Sequence, residues 1–160
     1  MQAITTPPDK RRTETGARPW QIAGLAAVLI LSVFLHFFRL TQEGYANLYY
    51  AAAVKSMLTS WHNFFFVSFD PGGFVSVDKP PLGLWVQALS ALVFGFHGWA
   101  LLLPQALAGV LSVLLLYHLV QRVFGATSGL AAALLLAVTP IFVAANRNNT
   151  MDSQLLFVSL

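Results

Sequence analysis

Three stretches of the chain, residues 20–38, 99–119 and 126–145, contain no Asp, Glu, Lys or Arg. Each comes close to the roughly 20 residues that a helix rising 1.5 Å per residue needs to cross a hydrocarbon core about 30 Å thick. Water is absent from that core, so such a stretch must close its own backbone hydrogen bonds, which a helix does. The expected fold is an all-α polytopic membrane protein with three transmembrane helices and, from residue 152, the start of a fourth. Composition agrees: 57% of the 160 residues are hydrophobic and 9% are charged, where a soluble domain carries roughly 25% charge.

The same numbers exclude other classes. The sequence pI is near 9.6, but the net charge of +3 comes from few ions and no basic stripe with interleaved aromatics offers a surface to nucleic acid. Without cysteine there is no disulfide framework and no thiolate metal site. No cofactor is assigned. A divalent cation would have to be held by carboxylates or by the four histidines, and no ligand spacing links His62 and His97.

Residues 1–19 are polar and rich in Pro, Thr and charge, the composition of a disordered tail. Residues 20–38 exceed the apolar core of a signal peptide and read as the first span. Lys10, Arg11, Arg12 and Arg18 precede it, which places the N-terminus in the cytoplasm of a multi-pass plasma-membrane protein. Residues 39–98 then form an outer loop. Within it, residues 47–61 have Val54, Leu58 and Trp61 at helical spacing, with Lys55, Ser56, Thr59 and Ser60 turned elsewhere, which predicts an interfacial helix. Asp70-Pro71-Gly72-Gly73 is a turn. Residues 81–96 carry a polar stripe of Gly83, Gln87 and Ser90 and would reach only about 24 Å, so they read as a second interfacial helix, opened by Pro80 or Pro81. The spans at 99–119 and 126–145 follow, with Arg122 between them on the cytoplasmic side. The apolar run from residue 152 is too short to cross a bilayer, and the chain reads as the N-terminal part of a larger protein.

This count of spans has a geometric consequence. With residues 81–96 flat, Glu43, Asp70, Asp78, Lys79, Arg147 and Asp152 share the outer side; were they a span, Arg147 and Asp152 would move to the opposite face. Only the first arrangement builds one site.

Four segments carry polar chemistry between the apolar stretches. They are Tyr45-Ala46-Asn47-Leu48-Tyr49-Tyr50, Phe69-Asp70-Pro71-Gly72-Gly73-Phe74, Val77-Asp78-Lys79-Pro80-Pro81-Leu82-Gly83 and Asn146-Arg147-Asn148-Asn149-Thr150-Met151-Asp152. Together they resemble the family 39 membrane glycosyltransferases, relatives of protein mannosyltransferases and of the aminoarabinose transferase acting on lipid A. The resemblance is closest to a bacterial branch and covers roughly residues 20–160. It implies the N-terminal part of a C-type glycosyltransferase fold. It also implies a sugar moved from a polyprenyl-phosphate donor to a lipid, glycan or protein acceptor on the outer face, with inversion at the anomeric carbon.

That chemistry needs cations for the departing phosphate, a carboxylate base for the acceptor hydroxyl, and hydrogen bonds with an aromatic wall for the sugar. Lys79 matches the family's lysine before proline and is the phosphate candidate; the alternative is a snorkelling Lys paired with Asp78. Arg147 offers a second phosphate contact or a positive anchor at a span end. Asp152 matches the family's Asp after the third span and would equally serve as a helix N-cap. Asp78 carries the same two readings, and Asp70 fits a turn. Asn47 and Tyr50 are the substrate-binding candidates of the first loop. The better-known relatives carry an Asp-Glu pair there, but Ala46 and Asn47 stand at the aligned positions, which leaves Glu43, Asp70 and Asp78 as alternative bases. A lipid-linked sugar transporter and a non-catalytic membrane partner are the competing functions. Transporters place ionisable groups at mid-membrane, whereas these spans have no Asp, Glu, Lys or Arg.

Overall fold

The computed structural model describes residues 19–160. The basic residues of the N-terminal tail, on which the expected orientation rests, lie outside the described residues. The elements in chain order are α1 (Pro19–Phe37), a 3-10 turn (Leu40–Glu43), α2 (Leu48–Met57), α3 (Trp61–Phe66), α4 (Pro81–Phe94), α5 (Gly98–Phe124), α6 (Ala126–Val138), α7 (Pro140–Asn146) and α8 (Asp152–Ser159). Among the described residues there is no sheet, only an isolated antiparallel bridge between Ser68 and Ser76. The described residues are helices joined by turns and loops, and α5 is their centre, packed against α1, α4, α6, α7 and α8.

Two segments are long and apolar enough to cross a membrane: Pro19–Glu43, which is α1 with its 3-10 turn, and α5. The third span, expected to run unbroken over 126–145, is a broken pair: α6 and α7 meet at an angle of 63°. The cause lies at Thr139-Pro140. Proline has no N–H to continue the helix and drives the preceding residue out of the helical region, and Thr139 is extended at φ −67° and ψ 117°. The second span is longer than expected, which brings Arg122 into the last turn of α5 instead of a loop.

The segment between the first two spans departs from its expected form in two ways. The single helix over 47–61 is two helices. The first ends at Met57 with Leu58 as its C-cap, Thr59 turns its hydroxyl back onto Ser56 O at 2.7 Å, and Ser60 caps the second, its Oγ accepting from Asn63 N at 3.1 Å. Ser56, placed by periodicity on the outward side, is buried, while Trp61 of the expected apolar face is 77% exposed. In α4 the polar stripe points into the protein. Gln87 is fully buried, Ser90 donates to Ala100 O, and the exposed residues include Leu82, Val86, Leu89, Leu92, Val93 and Phe94. Where lipid replaces water, polar side chains find partners only inward.

Two glycines allow close approaches at the ends of the α4 region. A Cβ on Gly98, at the start of α5, would lie 1.8 Å from the backbone oxygen of Gly44. A Cβ on Gly83 would lie 2.6 Å from Met151 Cγ and 2.7 Å from Gln154 Oε1. Tyr45 also stacks on Phe96 at 5.2 Å between ring centroids. Both ends of α4 are thus fastened, the first to the start of α8 and the last, through Phe96 and Gly98 just beyond it, to loop residues 44–45.

Candidate active site

The Asp78-Lys79-Pro80-Pro81 segment leads straight into α4. Pro80 takes the N-cap position in an extended conformation, and no side chain caps the helix, so Asp78 is not a cap. Its carboxylate lies 4.0 Å from Lys79 Nζ, with the two side chains 73% and 44% exposed. An exposed pair at that distance contributes little to stability, and Lys79 is not committed to it. Lys79 lines a pocket of about 440 Å³ together with Tyr50, Gly83, Thr150, Asp152 and Gln154, a volume within the roughly 300–1,000 Å³ of small-molecule sites. Asp152 is the first residue of α8. The N-cap position belongs to Met151 and no side chain caps this helix either, so the carboxylate of Asp152 is left to the pocket. Its charge beside a helix N-terminus is favoured by the helix dipole.

Leu82, Gln154 and Val158 belong at once to this pocket and to a second cavity of about 520 Å³. The second cavity runs between α4, α5 and α8 and is walled almost wholly by apolar side chains, among them Val86, Leu89, Leu103, Leu107 and Phe157. A pocket that holds Lys79 and Asp152 therefore shares one wall with a hydrocarbon-lined groove.

Glu43 and Arg147 lie elsewhere, on a third cavity lined also by Ala46 and Asn148. Arg147 donates from Nε and Nη2 to Glu43 Oε1 at 3.0 and 2.6 Å. From Nη1 it donates to the backbone oxygens of Leu35 and Phe38 at 3.0 and 2.8 Å. Leu35 lies in the last turn of α1 and Phe38 directly after it, where helix-end carbonyls lack helical N–H partners. Arg147 thus caps α1 and ties the end of α7 to the 3-10 turn.

Asn149, fully buried, holds the two regions in register. Its side chain accepts from Asn47 N at 2.8 Å and donates to Asn47 O at 3.0 Å, while its backbone oxygen receives Gln87 Nε2 at 3.0 Å. Asn47 itself caps α2, its Oδ1 accepting from Tyr49 N at 3.0 Å. Asp70 accepts from Phe74 N and Val75 N at 3.1 and 2.7 Å, and these backbone bonds hold its pKa below the usual carboxylate value.

Comparison with known proteins agrees with this arrangement of apolar helices and polar turns. Residues 78–160, just over half of the chain, match the family described as dolichyl-phosphate-mannose-protein mannosyltransferase. The chain belongs to that family. Among curated proteins, this mannosyltransferase-family chain is 53% identical over 138 residues to "Putative mannosyltransferase YycA" of Bacillus subtilis (strain 168), covering 86% of the chain and 20% of the relative. It is 49% identical over 136 residues to YkcB of the same organism and of the same description, covering 85% of the chain and 19% of that protein. An uncharacterized protein of Aquifex aeolicus (strain VF5) is 32% identical over 124 residues, or 73% of the chain and 24% of the relative. The chain thus spans about a fifth of the length of its Bacillus relatives. No solved structure matches it.

Of the residues singled out from sequence in this mannosyltransferase-family chain, Lys79, Asp152 and Tyr50 share one pocket. Glu43 and Arg147 pair with each other at another cavity, Asn47 joins the two regions through Asn149, and Asp70 and Asp78 line none of the three cavities. Sequence reasoning missed Asn149 and Gln154. Both are amides beside apolar segments, where a polar side chain without a charge partner signals an inward contact. Among the described residues no three of His, Asp and Glu approach closely enough to share a metal ion.

Proposed function

We propose that the full-length protein transfers a sugar from a polyprenyl-phosphate donor to an acceptor on the outer face of the plasma membrane, with mannose, the sugar in the family's description, as the first candidate. The observation that carries this reading is the shared wall between the Lys79–Asp152 pocket and the apolar groove. A donor of this class is a charged headgroup joined to hydrocarbon, and the two cavities offer each part its own environment. Lys79 meets the phosphate. Asp152 is the preferred base, since Glu43 is held by Arg147 outside the pocket. The acceptor oxygen attacks the anomeric carbon and the bond from that carbon to the phosphate oxygen breaks. The lipid phosphate leaves with the electron pair beside the Lys79 ammonium, and the acceptor proton passes to a carboxylate. Tyr50 supplies the aromatic wall.

The fastening of both ends of α4 supports a helix that stays on one side of the membrane, which keeps Lys79 and Asp152 together. Outward orientation of that side rests on the basic residues before α1.

Full-length protein in proteoliposomes, supplied with labelled polyprenyl-phosphate mannose, tests the reading. Covalent transfer to an acceptor fraction is expected, falling by roughly a hundredfold or more in Lys79→Ala and Asp152→Asn, as befits loss of a charge-stabilising or proton-accepting group. Movement of the lipid across the bilayer without transfer identifies a transporter instead.

A further inference from the structure

Arg147 was a candidate for the second phosphate contact, but four hydrogen bonds commit it to Glu43 and to the end of α1. Lys79 alone gives a phosphate a point charge and few directed bonds. The pocket contains a further donor. Gln154 lies on the wall common to the charged pocket and the apolar groove. Its Nε2 and Oε1 are both buried, and neither has a hydrogen-bond partner among the described residues. An amide in that state is destabilising, and the great majority of buried polar groups in native proteins are paired. Gly83 provides the gap into which Oε1 fits, and a Cβ there would stand 2.7 Å from it.

We propose that Gln154 binds the phosphate of a lipid-linked ligand, its amide N–H donating to a phosphate oxygen at the point where headgroup gives way to hydrocarbon. The inference rests on the donor reading above and goes beyond it, because it assigns a neutral donor to the phosphate beside Lys79, while the adjoining apolar groove selects an isoprenoid-linked phosphate over a free anion. A free phosphate gains the Lys79 and Gln154 contacts without the groove; an isoprenoid alcohol gains the groove without the phosphate contacts. Only a ligand with both parts takes the full interaction.

The test is equilibrium binding of farnesyl phosphate, inorganic phosphate and farnesol to detergent-solubilised full-length protein carrying Gln154→Met, Gln154→Glu or Gln154→Lys. A hydrogen bond to a charged group is worth enough to change affinity roughly ten- to a hundredfold. Gln154→Met is expected to lose about tenfold for farnesyl phosphate with farnesol unchanged, and Gln154→Glu roughly a hundredfold through added repulsion. Gln154→Lys, which keeps a donor and adds positive charge, is expected to bind within about threefold of wild type or tighter. The sign of that response separates phosphate binding from packing. Equal losses in Gln154→Lys and Gln154→Glu, or lowered thermal midpoints with unchanged affinity, assign the residue to the fold and overturn the proposal. So does inorganic phosphate competing as strongly as farnesyl phosphate. Wild-type binding that depends on Lys79 but ignores every Gln154 variant overturns this inference and leaves the donor reading standing. Wild-type protein that binds no farnesyl phosphate overturns both.

Discussion

Arg147 and Glu43, 104 residues apart in the chain, meet through two hydrogen bonds to one carboxylate oxygen, with side chains 19% and 39% exposed. The same guanidinium covers the carbonyls of Leu35 and Phe38. Its geometry is that of a clamp: it closes the end of α1 against the end of α7 and holds the 3-10 turn between them.

Removing the clamp is therefore expected to loosen the fold before it touches donor binding. Arg147→Ala should cost about 2–3 kcal/mol, since a partly buried carboxylate and two helix-end carbonyls lose their partner together. Arg147→Lys should recover less than half of that, because an ammonium cannot reproduce the planar fork. Thermal unfolding of solubilised protein measures both; a midpoint unchanged in Arg147→Ala rejects the clamp.

Asn149 makes a sharper demand. Asn149→Leu keeps the volume roughly but leaves the part-buried N–H of Asn47 unpaired, while its C=O keeps only the Ala51 N–H, a cost of about 1–3 kcal/mol. The two loop regions that it staples should then separate, read as increased hydrogen exchange at residues 46–49.

The two close-approach glycines should respond unequally to a methyl group. In Gly98→Ala the new Cβ meets the Gly44 carbonyl, part of the backbone, and cannot be accommodated without moving α5; the expected cost is about 3 kcal/mol or more. In Gly83→Ala the obstacles are the side chains of Met151 and Gln154, which have rotamers to spare, and about 1–2 kcal/mol is expected. Comparable midpoints for the two variants contradict the assignment.

Asp70 sets a pH dependence whose sign follows from its depressed pKa. Unfolded, the group titrates near the usual carboxylate value of about 3.9. Its bonds to Phe74 and Val75 therefore stabilise the 69–75 turn at pH above that value, and the stabilisation is lost as pH falls through the lower folded pKa. Exchange protection of the Phe74 and Val75 amides should drop below about pH 4 in wild type. In Asp70→Asn, which cannot ionise, it should be flat with pH.

The absence of native cysteine makes topology directly measurable. Single cysteines at positions 79 and 152 are expected to label from outside the cell and one at position 122 from inside. Opposite accessibility of 79 and 152 would mean that α4 crosses the bilayer, and the pocket they line would then not exist in the membrane.

The sequence by itself determined the helical class, the approximate apolar segments and the candidacy of Lys79 and Asp152, because lipid offers the backbone no hydrogen bonds and ions beside apolar runs stand out. Tertiary structure decided the rest. Periodicity gives the polar stripe of α4 as a direction without saying what lies on that side; packing turned it inward onto Asn149 and Ala100. Charge type gives Arg147 as a cation without its partners, and only the meeting of α1 with α7 committed its donors. Gln154 carries no charge and no motif. Its place between a charged pocket and an apolar groove arises where α4, α5 and α8 converge, a relationship among distant segments that no local pattern contains.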